Sequence, residues 1–267
     1  LAEDYRELRQ AAERIAREAG ELLLGHYGRV EAREKGPSDL VTEADLASQR
    51  LIAGRLAEAF PGHTLLAEEE GVTPDPDRPW RWIVDPLDGT VNFAHRYPIW
   101  TVSIGLEHRG MLVAGAIYAP LTGTMWSAGL GGGATVDGQP ARVSTADRLR
   151  NCLISAAFPT RFGPDAPRQL ALMGRYSDGT HSVRRSGSTA WNLAQLASGG
   201  CDVTFGTHVN PWDVAAGVLI VREAGGRVTG LDGGEYDLYR PEILASNGPV
   251  HDEAAQAARE AIAASAS

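Results

Sequence analysis

Between Trp80 and Val136 the chain carries five short stretches of strand-forming character: Trp80–Val84, Thr101–Leu106, Val113–Tyr118, Met125–Ser127 and Ala134–Val136. None is long enough for a helical repeat, and the last four are parted by turn residues. Successive strands joined in this way form an antiparallel meander. After about residue 145 the pattern changes. Stretches at Cys152–Ala156, Val183–Arg184, Asp202–Phe205, Arg227–Thr229 and Ile243–Ala245 alternate with helical segments near Pro167–Tyr176, Ser188–Ser198 and Pro211–Ala224. An alanine-rich helix follows from Asp252. Alternation of this kind is the mark of an α/β layer. The expected fold class is therefore α/β (α+β): an α+β part over 1–145 and an α/β part over 146–267, in a single domain without a flexible linker.

The N-terminal region reads as helical. Leu8, Ala12, Ile15, Ala19 and Leu22 recur at three and four residues, with Gly25 or Gly28 as the stop. Lys35-Gly36-Pro37-Ser38-Asp39 reads as a loop. Thr42 is an N-cap, with Asp45 at the capping-box position of a helix that runs to about Phe60 and is ended by Pro61-Gly62. A strand near Leu65–Ala67 leads into Glu68-Glu69-Glu70, and Thr73–Pro79 is a surface loop.

With 25 basic and 34 acidic residues the net charge is −9, which excludes a nucleic-acid partner relying on a basic face. A phosphorylated small molecule stays admissible if cations accompany it. No apolar run approaches the length of a membrane span, and the first thirty residues mix acidic and basic side chains unlike a secretory leader. Cys152 and Cys201 stand far apart, as in a reduced, cytoplasmic chain, and read as small buried residues.

The strongest chemical signal is Asp85-Pro86-Leu87-Asp88-Gly89-Thr90 at the end of an apolar strand. Two carboxylates flank a proline-stiffened turn that also aims the Leu87 carbonyl, a set of oxygens suited to a hard divalent cation. Gly89 permits close backbone approach, and the Gly89 and Thr90 amides can meet an anion. The bland alternative is an ordinary turn, since Asp, Pro and Gly all form turns. Glu68 and Glu69 alone would be a solvated charge run; beside Asp85, a neighbouring strand end would deliver Glu68 to the same cation. Asn210-Pro211-Trp212-Asp213 opens a helix, where an acid at the third position stabilises any helix, yet Asp213 is also a candidate ligand. Paired metals about 3.5–4 Å apart need this many carboxylates. Asp45 is either a helix cap or a partner of a threonine that orients water. The cluster Gly129–Gly133 lacks the spacing of a phosphate loop and reads as a hairpin turn. His208 is a surface histidine and a candidate substrate contact, and Trp212 a packing residue.

These residues together resemble the inositol monophosphatase family: Lys35, Asp39-Leu40-Val41-Thr42, Asp45, Glu68-Glu69, the run from Trp82 to Phe93, Gly187-Ser188-Thr189, and Pro211-Trp212-Asp213-Val214-Ala215-Ala216-Gly217. The match spans essentially the whole chain in order. The resemblance implies a layered αβαβα sandwich of the inositol monophosphatase and fructose-1,6-bisphosphatase type. It further implies a homodimer and hydrolysis of a small phosphate monoester that depends on two or three Mg²⁺ per subunit and is sensitive to lithium. It implies Glu68, Asp85 and the Leu87 carbonyl as ligands of one Mg²⁺, and Asp85, Asp88 and Asp213 as ligands of a second. It implies further that Glu69 holds a weaker ion through water, that Thr90 with Asp45 orients the attacking water, that the Gly89 and Thr90 amides cradle phosphate, and that Gly187, Ser188 and Thr189 lie where the alcohol is touched. Signatures of other phosphatase strategies, such as an aspartyl DxDxT nucleophile or a Cys-x5-Arg loop, are absent. One departure stands out. A Glu seven residues before the Trp-Asp aspartate, which reaches inositol hydroxyls in family members, is here Gly206, with Thr207 or His208 as candidate replacements. The alcohol is thus inositol, or that of another monoester such as histidinol phosphate, a sugar phosphate or a nucleotide 3′-phosphate. The competing class is a metal-dependent regulatory protein without turnover.

Overall fold

The structure, a computed structural model, describes residues 5–29, 33–36, 39–69 and 79–265, and the main chain alone over 33–36 and 39–41. Helix α1 (Arg6–His26) buries Ala11, Ala12, Ile15, Ala16, Ala19 and Leu23 along one stripe, as the spacing requires. Strands β1 (Arg33–Gly36) and β2 (Asp39–Val41) pair antiparallel. The segment expected as a loop is thus a short ribbon; its strands are too short to show alternation in sequence, and only its Gly-Pro-Ser-Asp turn signal is visible. Helix α2 (Glu43–Ala59) starts at a complete capping box. The Thr42 hydroxyl accepts from the Ala44 and Asp45 amides, and the Thr42 amide donates to Asp45 at 2.8 Å.

Seven strands then form one sheet: β3 (Thr64–Ala67), β4 (Trp80–Asp88), β5 (Thr101–His108), β6 (Met111–Ala119), β7 (Thr124–Gly129), β8 (Ala134–Val136) and β9 (Gln139–Pro140), in that spatial order. Helix α3 (Thr90–Ala94) follows β4. All pairs from β4 onward are antiparallel, the meander expected, and the β7–β8 hairpin closes over the glycine cluster. The β3–β4 pair is parallel.

The second half alternates β10 (Leu153–Ala157), α4 (Ala166–Gly179), β11 (Ser182–Arg184), α5 (Thr189–Ala197), β12 (Val203–Thr207), α6 (Pro211–Glu223), β13 (Arg227–Thr229), β14 (Glu242–Ser246) and α7 (His251–Ser265). Short 3₁₀ turns at Leu149–Asn151 and Gly163–Asp165 carry no periodic signal. The second sheet runs β11-β10-β12-β14-β13; β10 is parallel to both neighbours, and β14 is antiparallel to both of its own.

Three apolar cores show the layering. One joins α1 and α2 to the large sheet, one packs α5 and α6 between the two sheets, and one joins α4 and α7 to the outer face of the small sheet. The order is the αβαβα sandwich. Cys152 and Cys201 are buried and free, in keeping with the packing role expected.

Helix α6 lies unusually close to the large sheet because Gly105 and Gly115 face each other across β5 and β6. A methyl group on Gly105 would sit 2.9 Å from the Ala215 Cβ, and one on Gly115 would sit 3.0 Å from the Ala216 Cα. This bare patch of sheet seats the helix that carries Asp213.

Candidate active site

Two acids three residues apart in a regular strand point to opposite faces. In β4 they do not. Asp85 opposes Ser103 and Asp88 opposes Thr101, so three steps on β4 match two on β5, and the bulge turns both carboxylates to one side. Pro86 sits inside the bulge, and its carbonyl accepts from the Ser48 hydroxyl at 2.8 Å. The Leu87 amide donates to Asp85 Oδ1 at 3.0 Å. Glu68 arrives from the parallel neighbour: Ala67 pairs with Val84, which places the next residue of each strand, Glu68 and Asp85, side by side. Asp213 arrives from the N-terminus of α6, its carboxylate accepting from the Asn210 amide at 2.7 Å.

Glu68, Asp85, Leu87, Asp88 and Asp213 line one cavity of about 500 Å³, together with Gly89, Thr90, Gly187, Ser188 and Thr189. Of the sequence-derived candidates with described side chains, Asp45, Glu69, Thr207 and His208 do not line this cavity. Asp45 lies directly behind: its Oδ1 accepts from the Thr90 hydroxyl at 2.8 Å and its Oδ2 from the Thr42 hydroxyl at 2.5 Å. The Leu87 carbonyl is a second acceptor for Thr90, at 3.1 Å. The Glu69 amide is held by Gln49 Oε1 at 2.9 Å, and Glu69 is not among the cavity-lining residues. Lys35 and Asp39 to Val41 have no described side chains, and Glu70 lies outside the described residues.

Asp88 also reaches the start of α5, whose N-cap residue is Ser188. It accepts from the Ser188 hydroxyl (2.5 Å) and from the Thr189 (3.1 Å) and Ala190 (2.7 Å) amides. Gly89 adopts φ +98°, and any side chain there would press on the Ile99 and Gly187 carbonyls, so the turn after Asp88 is open only to glycine.

The electrostatics are those of crowded acids. Burial, reinforced by the charges of Glu68, Asp88 and Asp213, pushes the Asp85 carboxyl well above the usual range. Burial raises Asp88, with the Ser188 hydroxyl and the α5 amides pulling it back. Burial also lifts Asp213 to about 7, against the Asn210 amide and with help from Asp88. Asp45 is raised by burial and lowered by its bonds from Thr42 and Thr90. The donor set is all oxygen, rich in carboxylates, and it lines a cavity. That chemistry fits hard divalent cations. No closed cage is present: among the described residues, no three Asp, Glu, His or Cys side chains converge on a single ready-made metal position.

Two candidate contacts lie apart from this cavity. Thr207 is buried and takes its hydrogen bond from Gln169 Nε2 (3.1 Å), and His208 Nδ1 sits 3.2 Å from that same nitrogen; neither lines the cavity. A Cβ on Gly206 would press on Val209 and Ala157, so this strand offers no room for a larger side chain without shifting. Asn92, Tyr97, Phe158, Thr160 and Arg185 line the cavity without having been singled out as site residues. Only Asn92 had a signal, following the Asp-Gly-Thr turn; its amide clamps the Ile99 and Ser186 carbonyls at 2.7 and 2.9 Å.

A model of the inositol monophosphatase family matches residues 4–264. The chain belongs to this family. It is 39% identical over 241 residues to an inositol-1-monophosphatase of Synechocystis sp., covering 90% of this chain and 84% of that protein. It is 36% identical over 239 residues to the protein named Nus factor SuhB of Escherichia coli (strain K12), covering 88% and 90%. Its fold matches the inositol monophosphatase structure from Anabaena (Nostoc) sp. with a TM-score of 0.88 and 35% identity, over 96% of this chain and 97% of that one. This inositol monophosphatase family member is a phosphatase, an enzyme of a generally metal-dependent class acting on small phosphate substrates. Among its described residues no helix is long and apolar enough to cross a membrane.

Proposed function

We propose that this phosphatase hydrolyses a small phosphate monoester with Mg²⁺, inositol 1-phosphate first among the candidates. The observation that carries the reading is the convergence of Glu68, Asp85, Asp88 and Asp213 on one cavity backed by the Thr90–Asp45 pair. In this reading Glu68, Asp85 and the Leu87 carbonyl would hold one Mg²⁺, Asp85, Asp88 and Asp213 would hold a second, and Glu69 would serve a weaker ion through water. When bound, such cations neutralise the phosphate, acidify water and stabilise the leaving oxygen.

The chain's own residues supply the rest. Asp45 has no proton to give while it accepts from Thr42 and Thr90, so it fixes the Thr90 hydroxyl as a donor to itself. The Thr90 oxygen then offers a lone pair to the cavity, where it orients a water and accepts its proton in a hydrogen bond. The Thr90 proton is shared unequally, closer to Asp45 (2.8 Å) than to the Leu87 carbonyl (3.1 Å), and that carbonyl has a second lone pair for a ligand. The Gly89 and Thr90 amides hold the phosphate, and Gly187, Ser188 and Thr189 lie along the alcohol.

Phosphate release from inositol 1-phosphate, histidinol phosphate, fructose 1,6-bisphosphate and adenosine 3′,5′-bisphosphate, ranked by kcat/KM with Mg²⁺ and with EDTA, tests the reading. Release that depends on Mg²⁺ is expected, and equal rates with chelator refute it. The similarity to a relative named a Nus factor favours a second reading, a regulatory role for the same scaffold; Mg²⁺ uptake with no hydrolysis across this panel selects it.

A further inference from the structure

Two separate pieces of chain meet in the cavity wall. One is Asp88, Gly89 and the start of α3; the other is the turn Ser186-Gly187-Ser188 that leads into α5. The turn is braced within itself: Ser186 Oγ accepts from the Ser188 amide at 3.2 Å and lies 2.7 Å from Asn192 Oδ1. It therefore moves as a body with the start of α5. Asp88 grips one end of that body, through the Ser188 hydroxyl and the Thr189 and Ala190 amides. A body held at one end can still swing about it.

Asn92 is the second grip. Its Nδ2 donates to the Ser186 carbonyl at 2.9 Å and to the Ile99 carbonyl at 2.7 Å, which spends both amide hydrogens. Only a donor can face two carbonyls at once, so no aliphatic side chain replaces it. Asp88 and Asn92 belong to one stiff piece, because the Phe93 amide closes a helical turn on the Gly89 carbonyl at 2.9 Å. The two grips close on Gly89: a Cβ there would lie 3.1 Å from the Ile99 carbonyl oxygen and 3.4 Å from that of Gly187. A Cβ on Gly187 would in turn lie 2.9 Å from both Nδ2 and Oδ1 of Asn92. Without the Asn92 donors two carbonyls lose their partner and the turn is free to shift. A misplacement of about 1 Å by a change outside the reacting atoms costs about 100-fold in rate.

We propose that Asn92 is a positioning residue for hydrolysis. It fixes the turn over Ser186–Thr189, read above as the alcohol side, at a set distance from the Gly89 and Thr90 amides, read as the phosphate side. The inference rests on the phosphomonoesterase reading of this cavity.

Inorganic phosphate separates the two sides, since it carries no alcohol. The test uses the full chain with Mg²⁺ and the ester of highest kcat/KM among the four named above. Asn92→Leu, similar in size but without a donor, should lose about 10-fold or more in kcat/KM while inhibition by inorganic phosphate changes less than about 2-fold. Asn92→Asp has one hydrogen to give when protonated and none when ionised, and two facing carbonyls favour the protonated form. Its kcat/KM relative to wild type should therefore rise severalfold as pH falls from 8 to 6. An Asn92→Leu enzyme within about 2-fold of wild type in kcat/KM overturns the inference. So does an equal loss of phosphate inhibition, the signature of a merely structural role, and so does a pH-independent ratio in Asn92→Asp. If Asn92→Leu does not fold, Asn92→Asp decides alone. If the wild type releases phosphate from none of the esters, the phosphomonoesterase reading fails and this inference with it; turnover without these changes sinks this inference alone.

Discussion

Replacing Asp213 with asparagine should stabilise the metal-free protein while removing its use for the cation. The Asp213 carboxyl stands at about 7 against an ordinary 3.8. At about 1.4 kcal/mol for each pH unit, that displacement costs the folded state about 4 kcal/mol once the group is fully ionised. The substitution keeps an oxygen for the Asn210 amide, and the help that the charge gives that 2.7 Å bond is already contained in the net displacement. The net expectation is a gain of about 4 kcal/mol at pH 8, or about 8–16 °C in Tm for a chain of this size. The sign follows from the raised carboxyl. Below pH 3.8 the group is protonated in both states and the variant gains nothing from charge removal. Between 3.8 and 7 the unfolded chain ionises while the folded chain resists, so the wild type loses ground as pH rises; above 7 the difference is constant. Denaturant melts in EDTA at pH 4, 6 and 8 measure it. Saturating Mg²⁺ should then stabilise the wild type by RT ln(1 + [Mg²⁺]/Kd) and close or reverse the gap. A variant less stable than wild type at pH 8 in EDTA, or a gain independent of pH, would show that the acid cluster is not the strained element described.

Gly105→Ala should destabilise by about 1–3 kcal/mol, because the new methyl meets Ala215 and the Ala216 amide nitrogen of a helix that cannot yield atom by atom; kcat should fall with stability as Asp213 is carried outward, measured by melts and phosphate release. His251 is buried between the Thr229 and Ser246 hydroxyls at 2.9 and 2.8 Å, and burial lowers it to about 4. A lowered folded value means that stability is complete above 6.5 and drains as pH falls toward 4. Wild type should therefore lose about 2–3 kcal/mol more than His251→Gln between pH 7 and 4.5 in paired melts, and parallel curves would contradict the assignment.

Much of this protein is written locally in its sequence. The capping box of Thr42 and Asp45, the turn residues that part the strands, the helix start at Asn210-Pro211 and the Asp85–Thr90 run each specify their geometry within a few residues, so they are legible without the fold. The same local chemistry identified nearly every acid of the cavity, since oxygen-rich turns at strand and helix ends have few other uses at that density. What only the tertiary structure decided depends on residues brought from afar. The bulge that turns Asp85 and Asp88 together exists only in the register against β5. Gly105 and Gly115 look like weak points of strands until α6 is seated on them. Ser48 and Gln49, interior to a helix by pattern, hold Pro86 and Glu69 across the core. The wall bearing Arg185 is assembled from β10, the loop beyond α3 and the turn before α5, and a charged side chain in such a loop has no signature until its neighbours fix where it lies. Propensity and turn chemistry act over a few residues, whereas the shape of a cavity and the company of its charges are set by which distant surfaces pack.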